Sequence, residues 1–313
     1  MNEKKVNFDF PFKITHNDRF LMIGSCFTDN MHERFCEAGF GSRRAENGTV
    51  FHPKAISKYI FDLHDPAYDG RVIQREDLFF SLDFSSKTFA LDKSELLNQL
   101  DDKRMDDLAY LKGSKYLFVT FGTAFGYEDS SGEIVANCHK LPSSNFNKRL
   151  YDVAEMTDDW VQLISFLQTA YPQLEFIFTV SPVRHSKDGL IENSRSKARL
   201  QFLCEELSKL SGCHYFPSYE IMMDVLVDRY YYEDDGIHPN KKAVDFMWEV
   251  LADSLFTDET RNIVTEGLKL RVREKHIPLH GVGREAKSFQ LETEKLILDF
   301  QKTYPDFCWH YPK

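Results

Sequence analysis

The sequence predicts an α/β fold in which a central parallel sheet carries helices on both faces. Three observations carry this reading. Strand-length apolar runs are bounded by turn or helix signals, amphipathic stripes lie between them, and the two kinds of segment alternate along the chain.

The first strand is the apolar run at residues 20–24, with a helix pattern from Thr28. Residues 116–122 form the second clear strand, 174–180 the third and 213–216 a shorter fourth. Such runs fit strands covered on both faces. Trp160, Leu163, Ile164, Leu167 and Tyr171 recur at i, i+3, i+4, i+7 and i+11, along one side of a helix. Ala198, Leu203, Leu207 and Leu210 form a second stripe, and Ala243, Phe246, Val250 and Leu251 a third.

Two regions depart from the alternation. Residues 49–112 hold a helical stretch at 53–63, a hairpin pattern at 72–83 and an acidic helical segment at 93–111, and read as an insertion. The tail from residue 258 is charged and helical to Lys302, then aromatic at Phe307, Trp309 and Tyr311. The expected organisation is one domain over 1–257, with its insertion. An appendage over 258–313 is expected to dock on the core or to mediate a homo-oligomer.

With 313 residues, 42% hydrophobic and 28% charged, the chain can bury a substantial core, and disordered or collagen-like readings fail. Lys and Arg number 39 against 49 Asp and Glu, a net charge of −10, which argues against nucleic acid as a partner. Phe is frequent, at 27 residues, and predicts a densely packed aromatic core. No apolar run suits a membrane span or a signal peptide, so a cytoplasmic protein without a membrane partner is expected. Cys26, Cys36, Cys138, Cys204, Cys213 and Cys308 contain no CxxC pair, which disfavours a zinc ribbon or a disulfide framework.

Two segments carry chemistry. At residues 20–30 an apolar strand ends in Gly24-Ser25-Cys26 and a helix follows at once. A nucleophile there meets free N–H groups and the positive end of the helix dipole, which favour a thiolate or an oxyanion. The bland alternative makes Ser25 or Thr28 a helix cap and Cys26 a core thiol. The second segment holds Asp235 and His238 three residues apart in a loop before Pro239 and Asn240. That spacing lets the carboxylate turn onto Nδ1 and leave Nε2 as general base, although taken singly it is more often explained by capping or a solvated loop.

Together these segments resemble the SGNH/GDSL hydrolase superfamily, and within it the GSCFA family, whose motif stands here as Gly24-Ser25-Cys26-Phe27-Thr28 with Thr in the last place. Further stretches are similar to that family: Phe121-Gly122-Thr123-Ala124, Asn137-Cys138-His139-Lys140, Ser181-Pro182-Val183-Arg184-His185, Asp188-Gly189, Ser196-Lys197-Ala198 and Tyr215-Phe216-Pro217. The resemblance runs from about residue 18 to 255. It implies a flavodoxin-like three-layer sandwich and ester hydrolysis or acyl transfer without a cofactor.

Carried over residue by residue, the resemblance leaves choices open. Ungapped, Cys26 stands where the superfamily has its nucleophilic Ser, while a shift of one residue gives Ser25. A thiol at this corner, beside a His, is expected to be lowered. Gly48 takes the place of the glycine whose N–H enters the oxyanion hole. The third block matches at Gly122, but Ala124 replaces its Asn. Asn137 is the candidate substitute donor, or else a turn residue. Gly122, Thr123, His139, Lys140, Arg184 and His185 are expected to bind substrate, unless Arg184 pairs instead with Asp188 or Glu192. A metal set from Cys138, His139 and His185 lacks a distinctive spacing, and no metal is expected. The resemblance implies an acyl ester of a small or carbohydrate-like substrate, including an acetyl ester, cleaved by a Cys/Ser-His-Asp triad. The rival reading is a binding protein on the same fold without efficient chemistry.

Overall fold

The computed structural model of the chain describes residue 6, residues 8–276 and residues 283–309. The chain enters through β1 (Arg19–Gly24), α1 (Cys26–Glu37), β2 (Gly41–Thr49) and α2 (Pro53–Asp62). A small antiparallel sheet, β3 (Val72–Arg75), β4 (Leu78–Ser81) and β5 (Phe89–Ala90), precedes α3 (Lys93–Lys112) and β6 (Tyr116–Phe121). A second small sheet follows from β7 (Phe125–Glu128), β8 (Ile134–Val135) and β9 (Asn147–Leu150). Then come α4 (Val153–Ala170), β10 (Glu175–Val180), α5 (Leu190–Leu207), β11 (Cys213–Phe216) and the single turn α6 (Ser218–Glu220). The chain closes with α7 (Lys241–Leu255), α8 (Asp258–Lys275) and α9 (Arg284–Thr303).

The central sheet is parallel, in the order β11-β10-β6-β1-β2. Counted along this sheet alone, that is the 2-1-3-4-5 order of flavodoxin-like folds. Strand side chains alternate between two cores, as the two-residue period requires. Leu21, Ile23, Leu117, Val119, Phe176 and Phe178 face α2, α3, α4 and α5. Phe20, Met22, Tyr116, Phe118 and Ile177 face α1 and α7. The three layers expected from the resemblance are therefore present.

Residues 49–112, the expected insertion, share the core of the central sheet. Ile56, Tyr59 and Ile60 of α2 and Leu96, Leu100 and Leu111 of α3 belong to the core cluster of the sheet itself. The pattern at 72–83 is the β3–β4 hairpin, with Val72 opposite Ser81. At the C-terminal end, Ile297, Phe300, Phe307 and Trp309 pack together. Arg271 joins this cluster to the body by donating to the carbonyls of Cys36, Cys308 and Trp309 at 3.1, 2.7 and 3.0 Å. Tyr311 lies outside the described residues. Among the described residues no helix is long and apolar enough to cross a membrane.

Candidate active site

In a sheet of this order the strand connections reverse between β1 and β6, and ligands bind beyond the carboxyl ends of the strands at that point. A cleft of about 690 Å³ opens there. Cys26 enters it from the turn after β1, Thr123 from the end of β6, and Ser181, Arg184 and His185 from the end of β10. The small sheet β7–β9 supplies a further wall with Phe125, Tyr127, Val135, Asn137, Cys138 and Lys148. Ile237 and His238 line the cleft as well.

The turn after β1 depends on Gly24. Its φ is +132°, and a Cβ there would lie 2.2 Å from the carbonyl oxygen of Thr120 on the neighbouring strand. The Ser25 N–H donates to that oxygen at 3.0 Å, and α1 starts at the next residue. Ser25 occupies the cap position without making a cap bond; its Oγ is buried and has no hydrogen-bond partner. Cys26 is partly exposed and lines the cleft, whereas Ser25 does not.

The sequence led us to expect a lowered thiol, and the environment acts the other way. Burial pushes the Cys26 thiol up, Asp29 adds to this, and the N–H groups of Cys26 and Phe27 and the charge of Lys197 only partly offset it. A helix N-terminus favours an anion, but here desolvation outweighs it.

The loop before α7 contributes Ile237 and His238 to the cleft. Asp235 Oδ2 lies 2.6 Å from His238 Nδ1. Asp235 Oδ1 accepts the N–H groups of Ile237 at 2.8 Å and His238 at 3.0 Å. The His238 N–H bond is the main cause that holds the Asp235 carboxyl down to about 2, with the His238 ring bond next and the Ile237 N–H bond after it. Asn240 anchors the loop by capping α7 through Lys242 N–H and Ala243 N–H. His238 shares the cleft with Cys26, and no hydrogen bond joins it to Cys26 or Ser25.

The remaining expected residues divide into those at the cleft and those away from it. Asn137 lines the cleft; its Oδ1 accepts His139 N–H at 2.8 Å, so it forms a turn while its Nδ2 keeps its donors. Thr123 also lines the cleft, held by Ser196 Oγ at 3.0 Å. His185 is lowered to about 4, chiefly by burial and then by Lys197, so its imidazole is neutral near pH 7. Arg184 is exposed at the mouth, with its guanidinium 5.2 Å from the Tyr232 ring centre and one nitrogen 3.3 Å from Met223 Sδ. Neither expected acidic partner takes it: Asp188 pairs with Lys148 and Glu192 with Arg195.

Gly48, Gly122, His139 and Lys140 do not line the cleft. Gly48 precedes Thr49, which pairs with Gly24, so it stands beside the corner after β1. Its φ is +78° and a Cβ would fall 2.3 Å from Ser85 Oγ. Gly122 is pressed against Phe51, where a Cβ would lie 2.9 Å from the Phe51 Cβ. The buried His139 stacks on Phe80 and bonds through Nε2 to the Ser81 carbonyl at 2.7 Å, which turns it into the small sheet. Lys140 is exposed beyond it.

The GSCFA family model matches residues 19–251. The chain belongs to the GSCFA family. No curated protein matches it. Among solved structures it is similar to a protein from Streptococcus pneumonia, provisionally assigned as a platelet activating factor. The two are 13% identical, with a TM-score of 0.39, over 77% of this chain and 85% of that one. It is also similar to a provisionally assigned GDSL-like lipase from Parabacteroides merdae, at 10% identity and a TM-score of 0.38, over 79% of this chain and 98% of that one.

Within this GSCFA chain, sequence reasoning gave no role to His52, which lines the cleft, or to Lys197, buried behind it at the ends of β6 and β10. His52 caps α2 by accepting Lys54 N–H at Nδ1. Burial lowers it to about 3. Lys197 is 1% exposed and donates to the carbonyls of Gly122 and Ser181. A signal for Lys197 existed: it falls in phase with Leu200, Cys204 and Leu207 on the buried stripe of α5.

Proposed function

We propose that the chain hydrolyses or transfers an acyl ester through Cys26, His238 and Asp235. The observation that carries this is that Cys26 and His238, the latter bonded to Asp235, line one cleft at the switch point of the sheet. The buried Ser25 Oγ, away from the cleft, favours Cys26 over Ser25 as nucleophile.

In this mechanism His238 Nε2 takes the proton of the Cys26 thiol as the sulfur attacks the acyl carbon. Asp235 holds Nδ1–H and stabilises the imidazolium. Because burial raises the thiol, proton removal by His238 is coupled to attack and does not precede it. The negative oxygen of the tetrahedral intermediate is received by N–H groups at the start of α1 and by Asn137 Nδ2. Imidazolium then protonates the leaving alcohol. Finally His238 activates water, or an acceptor hydroxyl, which releases the acyl group from sulfur. Thr123, Arg184 and His185 contact the alcohol portion, and Arg184 suits a hydroxyl-rich or anionic one.

A second reading, a binding protein with little turnover, draws on Ala124 at the third block and on the absence of a His238–Cys26 hydrogen bond. Incubation with short acyl nitrophenyl esters separates the two. The hydrolase reading predicts turnover that is lost in Cys26→Ala and His238→Ala and retained in Ser25→Ala. No turnover in the native protein, or turnover untouched by His238→Ala, contradicts it.

A further inference from the structure

The charge that lines the cleft runs against the charge of the chain. The chain carries 39 Lys and Arg against 49 Asp and Glu, yet the cleft presents Lys148, Arg184 and Lys187 with one carboxylate, Asp188. Asp188 is taken by Lys148, whose ammonium also stands 4.7 Å from the Phe125 ring centre. No carboxylate among the described residues pairs with Arg184 or Lys187. His52 and His185 add no charge near pH 7, since burial lowers them to about 3 and about 4.

The acidic groups nearby do not supply the missing partner. Glu220 accepts Tyr215 O–H at 2.8 Å and Gln201 N–H at 3.0 Å. Asp29 of α1 is paired with Arg44 at 2.7 Å, and Asp235 with His238. Asp224, Glu233 and Asp234 are exposed, and none of them lines the cleft.

Arg184 is also fixed in place. Val183 N–H on one side donates to Ser181 Oγ at 3.3 Å, and His185 N–H on the other to Asn193 Oδ1 at 2.8 Å. The His185 ring meets Phe51 edge-on, with centres 5.4 Å apart. The guanidinium itself lies 5.2 Å from the centre of the Tyr232 ring, and Tyr232 bridges to Pro239, directly after His238. Arg184 therefore packs against the loop that carries His238. His238 protonates the leaving alcohol in the mechanism above, so a group held by Arg184 belongs to the alcohol portion.

We propose that the site takes esters whose alcohol portion carries an anionic group, received by Arg184 and Lys187 at the cleft mouth. This rests on reading Cys26 and His238 as the reacting pair. The chemistry recognised is that of a carboxylate or a phosphate: a guanidinium fork binds either through two parallel N–H bonds, and a lysine adds a point charge. A locally cationic cleft also draws anions toward a chain whose net charge would otherwise repel them.

The test has two arms. In the first, the acetyl esters of 3-hydroxybenzamide, 3-hydroxybenzoate and 3-hydroxyphenyl phosphate are compared by kcat/KM in native protein and in the double variant Arg184→Met, Lys187→Met. An anionic ester is expected to be preferred to the neutral amide by about tenfold, and the double variant to lose that preference. The larger of the two anionic preferences tells carboxylate from phosphate. Turnover without preference for either anion, or a preference unchanged in the double variant, overturns the proposal and leaves the hydrolase reading standing.

The second arm needs no turnover. Cys26 is alkylated with iodoacetate and with its neutral isostere iodoacetamide, and the two rates are read by peptide mass spectrometry. Thiol ionisation cancels in their ratio, which leaves the charge around the sulfur. The ratio of iodoacetate to iodoacetamide is expected to be higher in folded than in urea-unfolded protein. It should fall in the double variant and as salt is added. A folded ratio at or below that of the unfolded chain overturns the proposal. A raised ratio that the double variant abolishes, without turnover of any ester, defeats the hydrolase reading and leaves the anion site standing.

Discussion

Asp235 and His238 form a fixed unit, in which one carboxylate oxygen is 2.6 Å from Nδ1 and the other receives two backbone N–H groups of the same loop. The carboxylate therefore sets the tautomer of the imidazole, with Nδ1–H donating and Nε2 left for chemistry. Asp235→Asn is expected to keep the fold and to lower kcat by about 10³–10⁴-fold. Steady-state turnover of a nitrophenyl ester measures this.

The same bonds make a pH prediction. The Asp235 carboxyl sits at about 2 in the folded protein, below its unfolded value of about 3.9. A depressed carboxylate stabilises the fold above the unfolded value and loses that contribution as pH falls through the folded one. Native protein should thus lose stability relative to Asp235→Asn between about pH 4 and pH 2. Thermal melts of both proteins across that range decide the point, and parallel curves contradict it.

Gly24 should tolerate no side chain. Alanine there meets the Thr120 carbonyl at 2.2 Å in a left-handed conformation, so the β1–β6 pairing must yield. Gly24→Ala is expected to cost about 2–4 kcal/mol. The urea midpoint reads that loss, and an unchanged midpoint shows that the turn is less constrained than its geometry implies.

Asn137→Ala tests the replacement donor. Loss of one oxyanion donor should lower kcat by about 10²–10³-fold with little change in KM. The turn bond from His139 N–H is lost as well, so the melting temperature is measured alongside. A fall in stability without the kinetic loss assigns Asn137 to the turn alone.

The parallel sheet was legible because its strands are covered on both faces and read as unbroken apolar runs, as at residues 116–121 and 175–180. The corner at Gly24 and the Asp235–His238 spacing were legible for a local reason: each depends on residues adjacent in sequence. The second small sheet was not, because β8 has two residues and β9 reads Asn-Lys-Arg-Leu, with no apolar alternation. Lys197 was hidden for a different reason. Its partners Gly122 and Ser181 lie 75 and 16 positions away, and only the packing of α5 over the strand ends brings them together. The direction of the Cys26 shift was missed because helix position is a local property and burial is not.

The central claim is that Cys26 carries the acyl group during turnover. Native protein is mixed with a nitrophenyl acetate, quenched in acid within a fraction of a turnover, digested and mapped by mass spectrometry. The expected result is one added acetyl group on the peptide that contains Cys26, fragmenting to the sulfur and absent in Cys26→Ala. An acetyl group on Ser25, or undiminished turnover by Cys26→Ala, would contradict the account.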